Sequence, residues 1–287
     1  MTDLETEARV DASAGDVRPV ELSIRLADTE AQAREAVRVL GDVWPRPDAA
    51  MPLPPELAWV FAHSGNYVAL AYDRERPVGA AIGFRGHDAE GPHLHSHIAG
   101  VLPEWQGSSV GYALKQHQRM WSLERGLHRI TWTFDPLVAR NAYFNVVKLG
   151  ARLTRYYVDF YGPMDDGINL GDETDRCLAT WRLDNAEAIA SAAGRFVPAD
   201  AAAERAAGAV DVLTIGADGA PVVTPSEAAM RLLQLPRDIV GMRHAAPERA
   251  RAWRLALREV LVAAFAEGFE VVGVSRDSCY VVTRPGS

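Results

Sequence analysis

The sequence predicts an α+β protein, and three observations predict it. Apolar residues alternate in short runs, of which Tyr67 to Tyr72 and Val78 to Arg85 are joined by a turn at Asp73 to Pro77, the pattern of a hairpin. Other segments carry the wider helical spacing, as in Ala33, Ala36, Val37 and Leu40. At the centre stands HLHSHIAGVLPEWQGSSVG, His93 to Gly111, which reads as a half-buried strand, a turn of small residues and then a helix from Tyr112 to Arg125.

Residues 1–19 are polar, acidic and aperiodic and are expected to be a disordered leader. Glu21 to Leu26 alternates as a strand, and Asp28 or Thr29 fits an N-cap for a helix from Glu30 to Leu40. Trp44 to Pro47 and Met51 to Pro55 bracket a proline-stiffened loop, and Glu56 to His63 reads as a short helix. Gly79 and Gly83 mark either bulges, close approach or small-residue packing in their strand. Gly86 to Pro92 is expected to turn the chain into the central strand. In that strand His93, His95 and His97 alternate and share a face. No carboxylate or cysteine stands at a fitting spacing, so a metal is not expected there.

The turn after this strand points to chemistry. A helix start leaves free backbone N–H groups and the positive end of the dipole, and small residues let an anion approach them. A phosphate-bearing ligand is therefore expected at Gln106 to Tyr112. In the helix that follows, Leu114, Met120, Trp121 and Leu123 are available for packing, while Lys115 and Arg119 are expected to face solvent, within reach of a phosphate. A strand from Arg129 to Phe134, a helical segment from Leu137 to Gly150 and an aromatic strand from Arg152 to Tyr161 come next.

The order Val101-Leu102-Pro103-Glu104-Trp105, Gln106-Gly107-Ser108-Ser109-Val110-Gly111, helix, resembles the acyl-CoA pyrophosphate loop of the GNAT acyltransferase superfamily. Asn141-Ala142 and Lys148-Leu149-Gly150 resemble that superfamily's closing signature. The resemblance covers Val20 to about Gly162. Ser109 stands where the pattern has its middle glycine. The resemblance implies a GNAT-like mixed, mostly antiparallel sheet flanked by helices. It implies acetyl-CoA or another acyl-CoA as co-substrate, held at Val101, Leu102, Gln106, Gly107, Ser108, Ser109, Val110, Gly111, Tyr112 and Asn141. Backbone N–H near Val101 or Leu102 would polarise the thioester carbonyl. His95, His97 and Glu104 are candidates to take the amine's proton. Many members place a tyrosine four residues before the closing glycine to protonate the thiolate. Here that place is Val146; Tyr143, one helical turn earlier, and Tyr156 and Tyr157 on the next strand are the displaced candidates, and protonation of the thiolate by water would need none of them. The loop region borders the acceptor pocket in this superfamily, so Trp44, Met51 and Leu53 line substrate or pin the loop. Asp135 and Arg140 orient the acceptor or pair with one another. The expected reaction is N-acylation, acetylation or succinylation, of a small-molecule amine such as an amino acid by direct attack. The rival is a CoA-binding or interaction module without catalysis.

Beyond Gly162 the sequence reads as a polar linker, residues 163–175, and a carboxy-terminal α/β region, 176–287, which follows a GNAT domain at 20–162. That region holds a strand at Arg176 to Leu183, alanine-rich helices, and a hairpin from Ala209 to Thr224. It ends in a strong helix from Pro247 to Glu267 with Trp253, Leu257, Val260, Leu261, Ala264 and Phe265 inward and Arg251, Arg254 and Arg258 outward. Helix, Gly-Phe and strand echo the end of a GNAT domain, so the region is an extension or a degenerate second GNAT-like half. Composition is that of a globular chain of 287 residues, 48% hydrophobic and 24% charged. A net charge of −8 disfavours nucleic acid and anionic membranes. Two distant cysteines, Cys177 and Cys279, show neither a disulfide framework nor a zinc motif. With no membrane-length apolar run, a cytoplasmic location is the default expectation, and a homodimer is a possible assembly.

Overall fold

A computed structural model describes residues 22–44, 51–162 and 172–285. It is a mixed α+β structure with a mostly antiparallel sheet flanked by helices. The chain divides into two compact units, one ending at Ile130 and the other beginning at Thr131.

In the first unit, β1 (Leu22–Leu26), β2 (Tyr67–Asp73), β3 (Arg76–Asp88) and β4 (Gly91–Val101) pair antiparallel in that order. Helix α1 (Glu30–Val43) begins in a capping box, Thr29 accepting from the Gln32 N–H while the Gln32 side chain accepts from the Thr29 N–H. Its Ala33, Ala36, Val37 and Leu40 are fully buried against Val68, Leu70, Ala80 and Ile82 of the sheet. Helix α2 (Pro55–His63) starts at a proline, where the missing N–H costs nothing. The hairpin of β3 and β4 runs further than the sequence suggests. Its strands extend through the glycine-rich stretch from Gly86 to Pro92, because Arg129 locks the hairpin's end. The buried Arg129 guanidinium donates to Asp88, to Gly91 O at 3.2 Å, and contacts His93 Nδ1 at 3.2 Å. The register shifts once, Ile82 opposite Ile98 but Gly83 opposite Ser96, so His97 is the extra residue of a β-bulge. Gly83 combines two of the expected roles. A Cβ there would stand 2.9 Å from His95 O.

Helix α3 (Val110–Leu123) buries Leu114 and Trp121. Two expectations for it are corrected: Met120 is exposed, and Lys115, expected in solvent, is buried.

The second unit orders β5 (Arg129–Phe134, whose first two residues belong to the first unit), β7 (Arg176–Arg182), β6 (Arg152–Tyr157), β11 (Glu270–Val274), β12 (Cys279–Thr283), β10 (Met230–Gln234), β8 (Val210–Ile215) and β9 (Pro221–Val223). β6 pairs antiparallel with β7, so the compact division falls at Ile130 and not at the expected linker. Residues 163–171 of that linker, like the leader 1–19, lie outside the described residues. Its last residues are no solvated linker: Thr174 and Asp175 are fully buried. β10 runs parallel to β8, so the antiparallel run of the first unit is not repeated here. The expected helix from Leu137 to Gly150 is a short α4 (Ala139–Tyr143) that widens into a π-helical turn, Phe144–Lys148. Ala186–Ala192 forms α5 and Ala201–Ala206 forms α6, while α7 (Ile239–Ala245), like β10, was not foreseen.

Helix α8 (Pro247–Ala266) buries Trp253, Leu257, Val260, Leu261 and Ala264 as expected. Arg254 and Arg258 are not outward. Arg254 is fully buried and donates to both oxygens of Asp135, at 2.8 and 2.9 Å, and to Asp172 at 2.9 Å. Arg243 of α7 joins it on Asp135 at 2.5 Å. Arg258 holds Asp175, which also accepts from the Tyr156 hydroxyl at 2.5 Å. A buried carboxylate is tolerated only with such partners.

Candidate active site

The candidate site is built on the end of β4, the turn that follows and the start of α3. Pro103–Trp105 makes one 3-10 turn, and Gln106 then runs extended and donates from Nε2 to Val101 O at 3.4 Å. Gly107 takes φ +85° with open space around it, a conformation that favours glycine. Ser109, in place of the usual glycine, is itself left-handed at φ 67° and ψ 2°. It is the N-cap of α3, yet its hydroxyl makes no capping bond. The N–H groups of Ser109, Val110 and Gly111 meet no acceptor among the described residues. They are the first donors of a 14-residue helix with no acidic residue in its first turn. A Cβ at Gly111 would lie 3.6 Å from Val101 Cγ2, ordinary contact, which fits a position where alanine is also acceptable.

Of the two amides expected to polarise a carbonyl, one is spoken for. Leu102 N–H donates to Val78 O at 3.0 Å. Gly79 and Val101 are therefore a pair without mutual hydrogen bonds, and the Val101 N–H points away from β3. Trp44 lies at the same end of β4, its ring so close over Gly100 that a Cβ there would stand 2.8 Å from it. The indole is thus pinned to β4 next to Val101. Leu53 is buried in the same core, and Met51 is exposed beside Gly41.

His95 and His97 gather around the Phe84 ring, with centroids at 5.2 and 6.2 Å, and Phe61 of α2 touches Phe84 from its other side at 5.7 Å. Burial, reinforced by His97, His93 and Lys115, pushes the His95 pKa down to about 4. Desolvation also lowers His97, which keeps more exposure. Both are neutral at pH 7, but a base near 4 is a weak proton acceptor. Glu104 is turned to Arg76, 2.6 Å away on β3. Among the described residues no group of three or more His, Cys, Asp or Glu is placed to hold a metal.

Residues 30–145 match the model of the acetyltransferase (GNAT) family. The chain carries a GNAT acetyltransferase domain. Such a domain moves an acyl group from acyl-CoA to an amine. Among curated proteins none matches. Similar solved structures include a GNAT-family acetyltransferase from Streptococcus pneumoniae, at 17% identity, over 56% of this chain and 98% of that one, with a TM-score of 0.46. The ribosomal-protein-S18-alanine N-acetyltransferase from Escherichia coli gives 14% identity, 57% and 96% coverage and a TM-score of 0.45. Arabidopsis thaliana Naa50, bound to a bisubstrate analogue, gives 17%, 56% and 98%, with a TM-score of 0.43.

The GNAT match extends into the second unit, where four expected residues lie. Asn141 and Arg140 are exposed on α4, and Tyr143 is half-buried at its end. Asp135 does not pair with Arg140. It is buried on Arg254 and Arg243, which leaves it no oxygen to offer an acceptor. Val146, at the place of the family's tyrosine, is buried within the π-turn. No described helix is long and apolar enough to cross a membrane. Sequence reading held a bulge at Gly83 among its options but did not locate the extra residue, His97, and it missed the buried Lys115. The Gly83 in β3 was the available signal for the first, while the second left none.

Proposed function

We infer that this chain is an acyl-CoA-dependent N-acyltransferase that moves an acetyl or succinyl group to a small-molecule amine, an amino acid or a related compound. The observation that carries this is the set of open donors at Ser109, Val110 and Gly111 within a segment matched by the GNAT family. Those amides, with the Gly107 turn, hold the diphosphate of the co-substrate. The Val101 N–H polarises the thioester carbonyl, and the neutral amine attacks it directly. His97 is the favoured proton acceptor, because His95 is too weak a base and Glu104 is engaged by Arg76. Trp44 walls the acceptor end of β4. By resemblance, Asn141 contacts the cofactor arm, Tyr143 donates to the departing thiolate and Arg140 meets the acceptor. The compartment proposed is the cytoplasm.

Two measurements test the reading. Titration with acetyl-CoA or succinyl-CoA is expected to move the backbone amide resonances of Ser109, Val110 and Gly111, and thiol release is expected with at least one member of a panel of amino acids and small amines. Amides that stay in place under saturating coenzyme would refute the donor site. Binding without turnover for any amine would identify a CoA-binding module that has lost catalysis.

A further inference from the structure

Lys115 has no role in the reading above, and its surroundings are unusual. It lies on α3 little more than one turn beyond the open amides, yet only 6% of it is exposed. Its Nζ donates to Ser96 Oγ at 2.7 Å and to Gln118 Oε1 at 3.2 Å, and both partners are buried. A leucine would fill this helix position without the desolvation that a buried ammonium incurs. The Gln118 amide nitrogen finds no partner and lies 3.4 Å from where a Cβ on Gly83 would stand. Ser96 and Gly83 are the paired residues at the β3–β4 bulge, and His97 is the residue the bulge expels from the register. Neighbouring side chains on a strand point to opposite faces. Ser96 meets α3, while His95 and His97 meet Phe84 on the other face.

We propose that Lys115 is a positioning residue. From the helix that binds the diphosphate it holds Ser96, pins the bulge, and so fixes where His97 stands to take the acceptor's proton, with His95 beside it. The proposal rests on the functional reading for what the helix and the histidines do, and on geometry for the lock itself. The lock gives a direct path from donor binding to acceptor chemistry: one side chain spans from α3 to the strand residue flanked by both imidazoles.

The test uses the full chain with Lys115→Met, which keeps most of the volume, Ser96→Ala, which is the milder change, and the double variant. Side-chain nitrogen NMR of the histidines reads the lock without any need for turnover. Both single variants are expected to shift His95 and His97 while leaving His63 and His128 in place. Steady-state kinetics with acetyl-CoA and an active amine are expected to show kcat down by about ten- to a hundred-fold, the scale of an ångström-sized misplacement. KM for acetyl-CoA should stay within about twofold, and the double variant should be no worse than the poorer single one. Unmoved His95 and His97 signals in a folded Ser96→Ala variant would overturn the proposal, as would losses that multiply or fall on KM for acetyl-CoA alone. If Lys115→Met does not fold, Ser96→Ala decides by the same criteria. If wild-type protein does not bind acetyl-CoA, the functional reading fails, and the NMR comparison still decides whether Lys115 sets the histidines.

Discussion

At the scale of single residues, two side chains separate what the site needs from what the fold tolerates. Ser109 occupies a left-handed conformation that costs an ordinary residue about 1–2 kcal/mol, and it gains no capping bond in return. Ser109→Gly removes that strain but adds about 0.5–1 kcal/mol of chain entropy, so a net gain of up to about 1.5 kcal/mol is expected in urea unfolding. Coenzyme affinity should hardly change, because the N–H proposed to meet the phosphate is kept. His97→Gln is expected to lower kcat by about a hundred-fold or more if it takes the amine's proton. In that role the neutral imidazole is the active form, so activity should fall as pH drops through its value. Because desolvation lowers that value, the acid limb of kcat should lie below the ordinary histidine value of about 6.5 and should vanish in the variant. An unchanged limb would move the role to another group. The glycines and the histidine alternation were readable from the sequence. Arg254 was not, because it borders the apolar stripe of α8 and its carboxylate partners stand 82 and 119 residues away.

Elements with regular periodicity were legible, and irregular ones were not. The capping box at Thr29 and the proline at the start of α2 declare those helix starts locally, and the structure places both starts within a residue of expectation, although α1 runs three residues past its expected end. A β-bulge or a π-turn inserts one residue into a regular ladder without changing the apolar pattern on either side of it, so neither leaves a periodic trace. β10 and α7 were missed for a related reason: their segments are short and carry charge where tertiary partners, not alternation, decide burial. Arg231 of β10, for example, is buried with its guanidinium on Glu267 and stacked over Phe269. The bulge yields a contrast that sequence alone would not rank. Gly83→Ala drives a Cβ against His95 O at 2.9 Å and is expected to cost about 1–3 kcal/mol. Gly111→Ala meets only Val101 at 3.6 Å and improves helix propensity, so it should be neutral or stabilising by up to about 1 kcal/mol. Thermal melts of the two variants check this. Equal losses would mean that the bulge is not the tight point it is here.

At the scale of the whole molecule, the sequence conveyed the fold class and the family-like segment but placed the boundary at a stretch that is partly core. Its acidic residues look like a solvated linker until Arg243, Arg254 and Arg258 arrive from α7 and α8 to neutralise them. Asp135 shows what this network does for stability. Burial alone would raise its carboxyl, but Arg254 and Arg243 outweigh burial and hold it well below the usual carboxylate range. A group depressed in the folded state contributes stability that is present above its unfolded value, about 3.9, and is lost as pH falls through the folded value. Asp135→Asn leaves two buried guanidinium groups sharing a single carboxylate, Asp172, and the uncompensated buried charge should cost about 3–5 kcal/mol at pH 7. In wild-type protein that contribution declines only below about pH 4, so the gap between wild type and variant should be widest at neutral pH and should close as the pH is lowered from 4 toward 2. Urea unfolding at a series of pH values measures that gap. If it stayed constant down to pH 2, Asp135 would matter through packing and hydrogen-bond geometry, and the charge network would not be what holds α8 in the second unit.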